Sequence, residues 1–347
     1  PLRGFCEQNG KKYYFGKKDD GSGLAEGKMA TGFQTIDGKT HYFGKKDDGS
    51  GLAEGQMATG FQTIDGKKYY FGKKDDGSGL AEGEMATGWF QVEEDWYRSN
   101  EDGALNKGTL DWSSDKYFFD KKTGKSLGSI KKMGNTYYGY GTGKDAKLLQ
   151  GFHEFNGKTY YFGQKNDGTG LAEGEKAIWT VKINGKSHYF SGDGSAQAAN
   201  SWLADYHQAG EPNTWYILGN GEMASGFKQI DGKTYYFDPN NDYRMAKDWF
   251  KIGEDWYRAE TDGKLNVGIL ESGSDKYFFD KTTGKSLFSI RSGYHYYGYG
   301  PGGSNATRIH GFYEFDGKKY YFGKKDDGSG LGEGQMATNW FKIGEVQ

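Results

Sequence analysis

Apolar and polar positions along the chain alternate in short runs. In GFQTIDGKKYYFG, which begins at Gly60, the run FQTI alternates as a half-buried strand does. Asp-Gly then supplies a two-residue turn of the type that needs positive φ. KKYYF is the returning strand, aromatic and β-prone. The spacing predicts a β-hairpin. Asn-Gly or Asp-Gly recurs at 9–10, 37–38, 65–66, 156–157, 184–185, 231–232 and 316–317, each time ahead of an aromatic run. The nearest approach to a helical pattern is GLAEGEMA, whose glycines would each cost about 1 kcal/mol in a helix.

The hairpin pattern repeats at two scales. Gly4-Phe5, Gly32-Phe33, Gly60-Phe61 and Gly88-Trp89 follow at steps of 28 residues. A longer unit then duplicates at an offset of 160: WFQVEEDWYRSNEDGALNKG at 89–108 returns as WFKIGEDWYRAETDGKLNVG at 249–268, and SDKYFFDKKTGKSLGSI at 114–130 as SDKYFFDKTTGKSLFSI at 274–290. The predicted organisation is three 28-residue hairpin repeats (1–88), a long repeat block (89–178), irregular bridging hairpins (179–248), a second long block (249–339) and the start of a further repeat (340–347). Both ends fall inside the array, and the expectation is a monomeric piece of a longer chain. An isolated hairpin is marginal in water, so each must bury its aromatic face on the next. The predicted fold is all-β: an elongated β-solenoid of stacked β-hairpins, a superhelical repeat array.

Composition sharpens this picture. Glycine makes up 59 of the 347 residues, and hydrophobic residues only 34%, yet aromatics reach 17%, led by 27 Tyr and 23 Phe. Rings that bury roughly 150–250 Å² each can hold a thin structure together. Net charge is −2, from 45 basic and 47 acidic residues that alternate locally. No basic stripe forms, which argues against nucleic acid as a partner. No apolar run approaches the roughly 18 residues of a membrane span. The single Cys6 excludes an intramolecular disulfide.

GKKDDGSGLAEG stands at 16–27, 44–55 and 72–83, and returns with one change at 323–334. Three readings fit it. It is a solvated connector with its leucine tucked under the hairpins, a wall of a ligand cleft, or a calcium loop, although its spacing misses the EF-hand pattern. Catalysis is not expected. Glu26, Glu54, Glu82, Glu173 and Glu333 occupy equivalent repeat positions, and an active site in five copies is improbable. The six histidines do not cluster as metal ligands, and no nucleophile elbow, P-loop or zincin motif occurs. No cofactor and no metal are expected.

The candidate ligand-binding residues are aromatic. EDWYR at 94–98 and 254–258 sets Trp96, Tyr97 and Arg98, and Trp256, Tyr257 and Arg258, beside one another. Open indoles would stack on a sugar ring while the arginines donate to its hydroxyls. Trp89 and Trp249 begin the same hairpins. YYGYG adds Tyr138 and Tyr140, and Tyr297 and Tyr299, as rings interrupted by glycine. The competing reading for each is hairpin packing.

GFQTIDGKKYYF followed by MATGF or MATGW resembles the cell-wall-binding repeat superfamily, over nearly the whole chain. That superfamily includes choline-binding repeats, the glucan-binding repeats of glucansucrases and the C-terminal repeats of large clostridial toxins. The resemblance implies a secreted or cell-surface protein of a Gram-positive bacterium or its phage, a β-solenoid fold, and binding without catalysis. The choline branch builds its cage from a tryptophan in GW and another ahead of the YY pair. Here Phe33 and Phe61 stand at the first position, and Lys12, Thr40 and Lys68 at the second. That departure favours the carbohydrate branches, with a polysaccharide or surface glycan as partner. Choline of teichoic acid is the alternative, and a structural spacer or protein-interaction array is the third reading.

Overall fold

The computed structural model describes residues 2–143, 145–205 and 213–344. Pro1 and residues 345–347, the end of the expected further repeat, lie outside the described residues. The chain divides into two compact units, Pro1–Gln197 and Ala198–Gln347. Each is an all-β solenoid of antiparallel hairpins stacked in chain order. Among the described residues the one helical element is a single 3₁₀ turn, Gly219–Gly221.

Strands Gly32–Ile36 and Lys39–Phe43 illustrate the hairpin. Phe33 lies opposite Tyr42, and Ile36 opposite Lys39. Asp37 and Gly38 between them have φ of +49° and +78°, the conformation that matches the twist of the flanking strands. The same pair of positive φ values occurs at every Asn-Gly and Asp-Gly turn named above.

A two-stranded hairpin leaves backbone groups open along its edges, and here successive repeats cover them. Phe15 bridges Met29 of its own repeat, and Ala30 N donates to Tyr14 O at 2.8 Å. The following repeat then reaches back, with Met57 N donating to Lys12 O at 2.7 Å. Met85 does the same to Thr40 at 2.7 Å, and in the second unit Leu265 to Thr234 at 2.8 Å. Burial follows the same stagger. Tyr14, Ala30, Ile36, Phe43 and Met57 form one core cluster drawn from two consecutive repeats. The next is built on Tyr42, Ala58, Ile64 and Phe71.

The repeated polar segment proves to be a structural connector. Tyr42 donates its hydroxyl to Asp48 Oδ2 at 2.6 Å, and Lys45 N donates to the same oxygen at 2.7 Å. Ser50 donates to Oδ1 through N at 2.8 Å and Oγ at 2.6 Å. Asp20, Asp76, Asp167 and Asp327 repeat this clamp. Gly44 is required by close approach, since a Cβ there would lie 2.3 Å from the Ala53 carbonyl oxygen. The second aspartate of each copy is thus spent on the fold. Among the described residues no group of three or more His, Cys, Asp or Glu side chains is placed to hold a metal, and no helix is long and apolar enough to cross a membrane.

The long blocks depart from plain hairpins. Strands Gly108–Trp112, Asp115–Phe119, Ser126–Met133 and Thr136–Tyr140 join into one four-stranded meander. Gly268–Ser272, Asp275–Phe279, Ser286–Ser292 and Tyr296–Tyr299 form its counterpart. The cause is a short turn after Phe119. The Asp120 carboxylate accepts from Thr123 N at 2.6 Å and from Thr123 Oγ1 at 2.7 Å. The chain therefore returns at once to pair with the strand it has just left.

The clamp carries a pH signature. Donation by the Ser22 and Tyr14 hydroxyls holds the Asp20 carboxyl well below the usual carboxylate range. At Asp167 burial pushes upward, but the donors from Thr169, Gln164 and Tyr161 prevail and bring it from 3.8 down to about 2. Folded chains therefore hold fewer protons than unfolded ones in this window. The clamp's contribution is full above about pH 5 and is lost as pH falls toward 2. Asp167→Ala should cost about 1.5–3 kcal/mol near neutral pH, as expected for a hydrogen-bonded charge. Thermal melts followed by circular dichroism should show its gap from the parent chain closing toward pH 2. An equal gap at both pH values would remove the clamp as its cause.

Candidate functional site

Strand alternation decides which predicted rings face outward. In the hairpin of Gly88–Val92 and Asp95–Ser99, Trp89 lies opposite Arg98 and Gln91 opposite Trp96. Trp89, Trp96 and Arg98 therefore share one face, and Phe90 and Tyr97 the other. Trp89 is 39% exposed, whereas Tyr97 is 8% exposed and stacks on buried Phe90 with centroids 5.6 Å apart. Tyr257 repeats this placement against Phe250. Both tyrosines belong to the core, which corrects their grouping with the neighbouring tryptophans: consecutive residues of a strand do not line one cleft.

The meander supplies the facing wall. Tyr117 pairs with Ser129, and Ser129 with Tyr140, in a row across three strands. Lys131 pairs with Tyr138 on the same face. Trp89, Trp96, Tyr117, Ser126, Ser129 and Lys131 line a cavity of about 420 Å³, bordered by the glycine loop 141–143 and Ala146. Trp89 and Tyr117 have ring centroids 5.7 Å apart. The Lys131 ammonium stands 5.3 Å from the Tyr140 ring and 5.9 Å from Tyr117. The loop approaches so closely that a Cβ on Gly143 would lie 2.6 Å from Trp96 Nε1.

The remaining predicted residues fall around this cavity or away from it. Tyr138 and Tyr140 are half-buried. Gly139 between them serves packing, because a Cβ there would lie 2.5 Å from the Phe162 ring. Arg98 does not line the cavity. Its Nη1 donates to Asn106 Oδ1 at 2.9 Å, and its guanidinium lies 4.5 Å from the Trp112 ring. Arg258 makes the matching bond to Asn266 at 3.0 Å.

In the second block Trp249 stands 5.6 Å from Tyr277, and Tyr277, Ser289 and Tyr299 form the same cross-strand row. Arg291 replaces Lys131 and ties the walls together. Its guanidinium lies 4.5 Å from Tyr299, and it donates to Ser289 Oγ at 3.2 Å and to the Gly303 carbonyl at 2.6 Å. Gly302 and Gly303 lie against Trp256 and Trp249. Tyr297 is covered by Arg308 at 4.1 Å.

In the plain repeats the outward ring is a phenylalanine. Phe33 packs edge-on to Tyr42 at 4.7 Å and meets Tyr69 of the next hairpin at 5.3 Å. Lysines occupy the space a ligand cation would need. Lys68 stands 4.6 Å above the Phe61 ring, and Lys12 is ion-paired with Glu82.

The family model described as "Putative cell wall binding repeat" matches residues 31–50, 59–78, 87–105, 225–240 and 247–265. These five segments share the sequence pattern of that repeat. Among solved structures it is similar to choline binding protein F from Streptococcus pneumoniae, crystallised with a peptidoglycan analogue. That match has 22% identity and a TM-score of 0.40, over 96% of this chain and 92% of that one. It is similar to the modular autolysin LytC of the same species at 17% identity and a TM-score of 0.31, over 76% of this chain and 50% of that one. An alternansucrase in complex with isomaltononaose matches at 22% identity and a TM-score of 0.23, over 91% of this chain and 22% of the enzyme. No curated protein sequence matches. With TM-scores below 0.5, the functional reading rests on the repeats and the cavity.

Arg291→Ala should untie the second block's walls. Acrylamide quenching of tryptophan emission should then rise above that of the parent chain, with the melting temperature checked alongside. Unchanged quenching in a folded variant would show that Arg291 does not close this space.

Proposed function

We propose that this chain, with five segments that share the pattern of cell wall binding repeats, is a non-catalytic, multivalent carbohydrate-binding module. It attaches a secreted protein to polysaccharide or glycans at a cell surface. The observation that carries this reading is the cavity of the first long block. Trp89, Trp96 and Tyr117 present flat apolar faces, and Ser126, Ser129 and Lys131 present polar groups among them. A pyranose has the matching make-up: C–H faces for rings, hydroxyls for serine and lysine. The volume suits a ligand of one or two sugar rings. Outward phenylalanines along the plain repeats add shallower platforms. Weak individual sites gain avidity when several engage one polymer.

A second reading is anchoring through the choline of teichoic acid. The repeat matches support it, as do the π faces of the same cavity, because a quaternary ammonium is held by tryptophan and tyrosine rings. Against it stand the lysines at the plain repeats and Lys131 itself.

Depletion from solution by insoluble α-glucan, β-glucan and whole cell wall, with choline resin alongside, tests both readings. Retention on at least one polysaccharide is expected, and Trp89→Ala with Trp96→Ala should weaken it by about tenfold or more, as truncation of a buried aromatic anchor does. Parent-like retention of the double variant would sink the cavity as the site. Retention on choline resin with elution by free choline would give the second reading precedence.

A further inference from the structure

Lys131 is the unusual member of the first-block cavity. Its ammonium meets the rings of Tyr117 and Tyr140 in a space that Trp89 and Trp96 also line, and no Asp or Glu is among the residues that line it. Among the described residues no carboxylate stands within ion-pairing distance of it. The other lysines that meet rings in this unit are either exposed or hydrogen-bonded: Lys132, 6.0 Å from Tyr137, is exposed. Lys176, 4.7 Å from Tyr137, also donates to the Asp193 carbonyl at 2.9 Å. Lys68, over Phe61, donates to the Thr123 carbonyl at 2.9 Å. Arg291, at the position equivalent to Lys131, is satisfied by the Gly303 carbonyl and the Ser289 hydroxyl. Among the described residues, the contacts of the Lys131 ammonium are π faces alone. Aromatic rings attract a cation but provide no counter-charge, and the charge of a partly enclosed ammonium is poorly screened. The site is thus short of one negative charge.

We propose that the first-block cavity selects a sugar bearing an anionic group, with the ring against Trp89 and Trp96, the anion on Lys131, and hydroxyls on Ser126 and Ser129. This deepens the carbohydrate reading above and rests on it. Carboxylate and phosphate share the required chemistry, so the ligand is a uronate-type or a phosphorylated sugar. The same ammonium repels a quaternary amine from this cavity. The second block, with its cation tied to backbone carbonyl and serine, does not share the preference.

The test titrates the full chain with methyl glucuronide, glucose 6-phosphate, methyl glucoside and choline, followed by tryptophan emission and calorimetry. At least one acidic sugar should bind about tenfold more tightly than methyl glucoside, one charge contact amounting to about that factor. The preference should weaken as salt rises. The tighter of the two acidic probes identifies carboxylate or phosphate as the source. Lys131→Met should remove the preference while leaving the melting temperature near the parent value, and Lys131→Arg should report whether a forked cation closes the site. Equal binding of neutral and acidic sugars, or a preference that survives Lys131→Met, overturns the anion assignment and leaves the carbohydrate reading standing. Absence of binding by both acidic probes overturns it as well. Failure of every sugar and polysaccharide, by contrast, is the failure of the carbohydrate reading itself.

Discussion

A hairpin of two five-residue strands has no interior, and this governs the molecule. Whatever such a hairpin buries must be buried on its neighbours. Tyr14 meets Phe43 of the next hairpin with centroids 6.2 Å apart, and Tyr42 meets Phe71 at 6.3 Å. Each core cluster therefore draws on consecutive repeats. The alanine of the Met-Ala-Thr segment, Ala30, Ala58 or Ala86, is fully buried at the centre of this contact, where a larger side chain has no room. The Tyr–Asp clamp serves the same end. It folds twelve polar residues back under the aromatic strand, so that the chain is delivered to the next hairpin at a fixed offset.

A structure held together in this way can leave grooves between an outward ring and the hairpin that follows, as beside Phe5 and beside Trp89. Where the connector is the regular polar segment, charged side chains line the groove, as the ion-paired Lys12 and Glu82 do beside Phe5 and His41 in a cavity of about 390 Å³. In the long block the short turn at Asp120 replaces that connector with two more strands. The extra sheet stands opposite Trp89 and Trp96, and the glycine loop at 141–143 borders the space between them. The candidate cavity thus lies where the repeat departs from its own rule.

The sequence made the hairpins legible, because Asp-Gly and Asn-Gly mark turns whose geometry few other pairs adopt. It did not mark turns made without that pair. Glu93 and Ser113 also take positive φ, at +55° and +58°, and nothing in their residue types announces it. The four-stranded meander was hidden for a related reason: the KKTGKS connector reads as another polar loop until Asp120 is seen to close it. Trp89 and Trp96 could be singled out as exposed candidates, but Tyr97 was drawn in by adjacency. Choosing the inner face of a strand needs the neighbour against which it packs. Tyr117, Ser126, Ser129 and Lys131 gave no signal of their own, since pairing across three strands is what brings them to the indoles.

The two long blocks build the same frame around different cations. Their rows of Tyr, Ser and Tyr coincide, and both pairs of tryptophans stand on the same strands. What differs is the cation between the walls. A guanidinium is a planar fork with several donors, and Arg291 uses it to bind the Gly303 carbonyl and Ser289 hydroxyl while resting on Tyr299. An ammonium is a compact charge on a flexible stem, and Lys131 rests on rings without bridging to the loop. The choice between two basic residues at one repeat position therefore decides whether hydrogen bonds tie the loop to the sheet. On the binding proposed above, this choice sets what each long block adds to avidity, beside the platforms of the plain repeats.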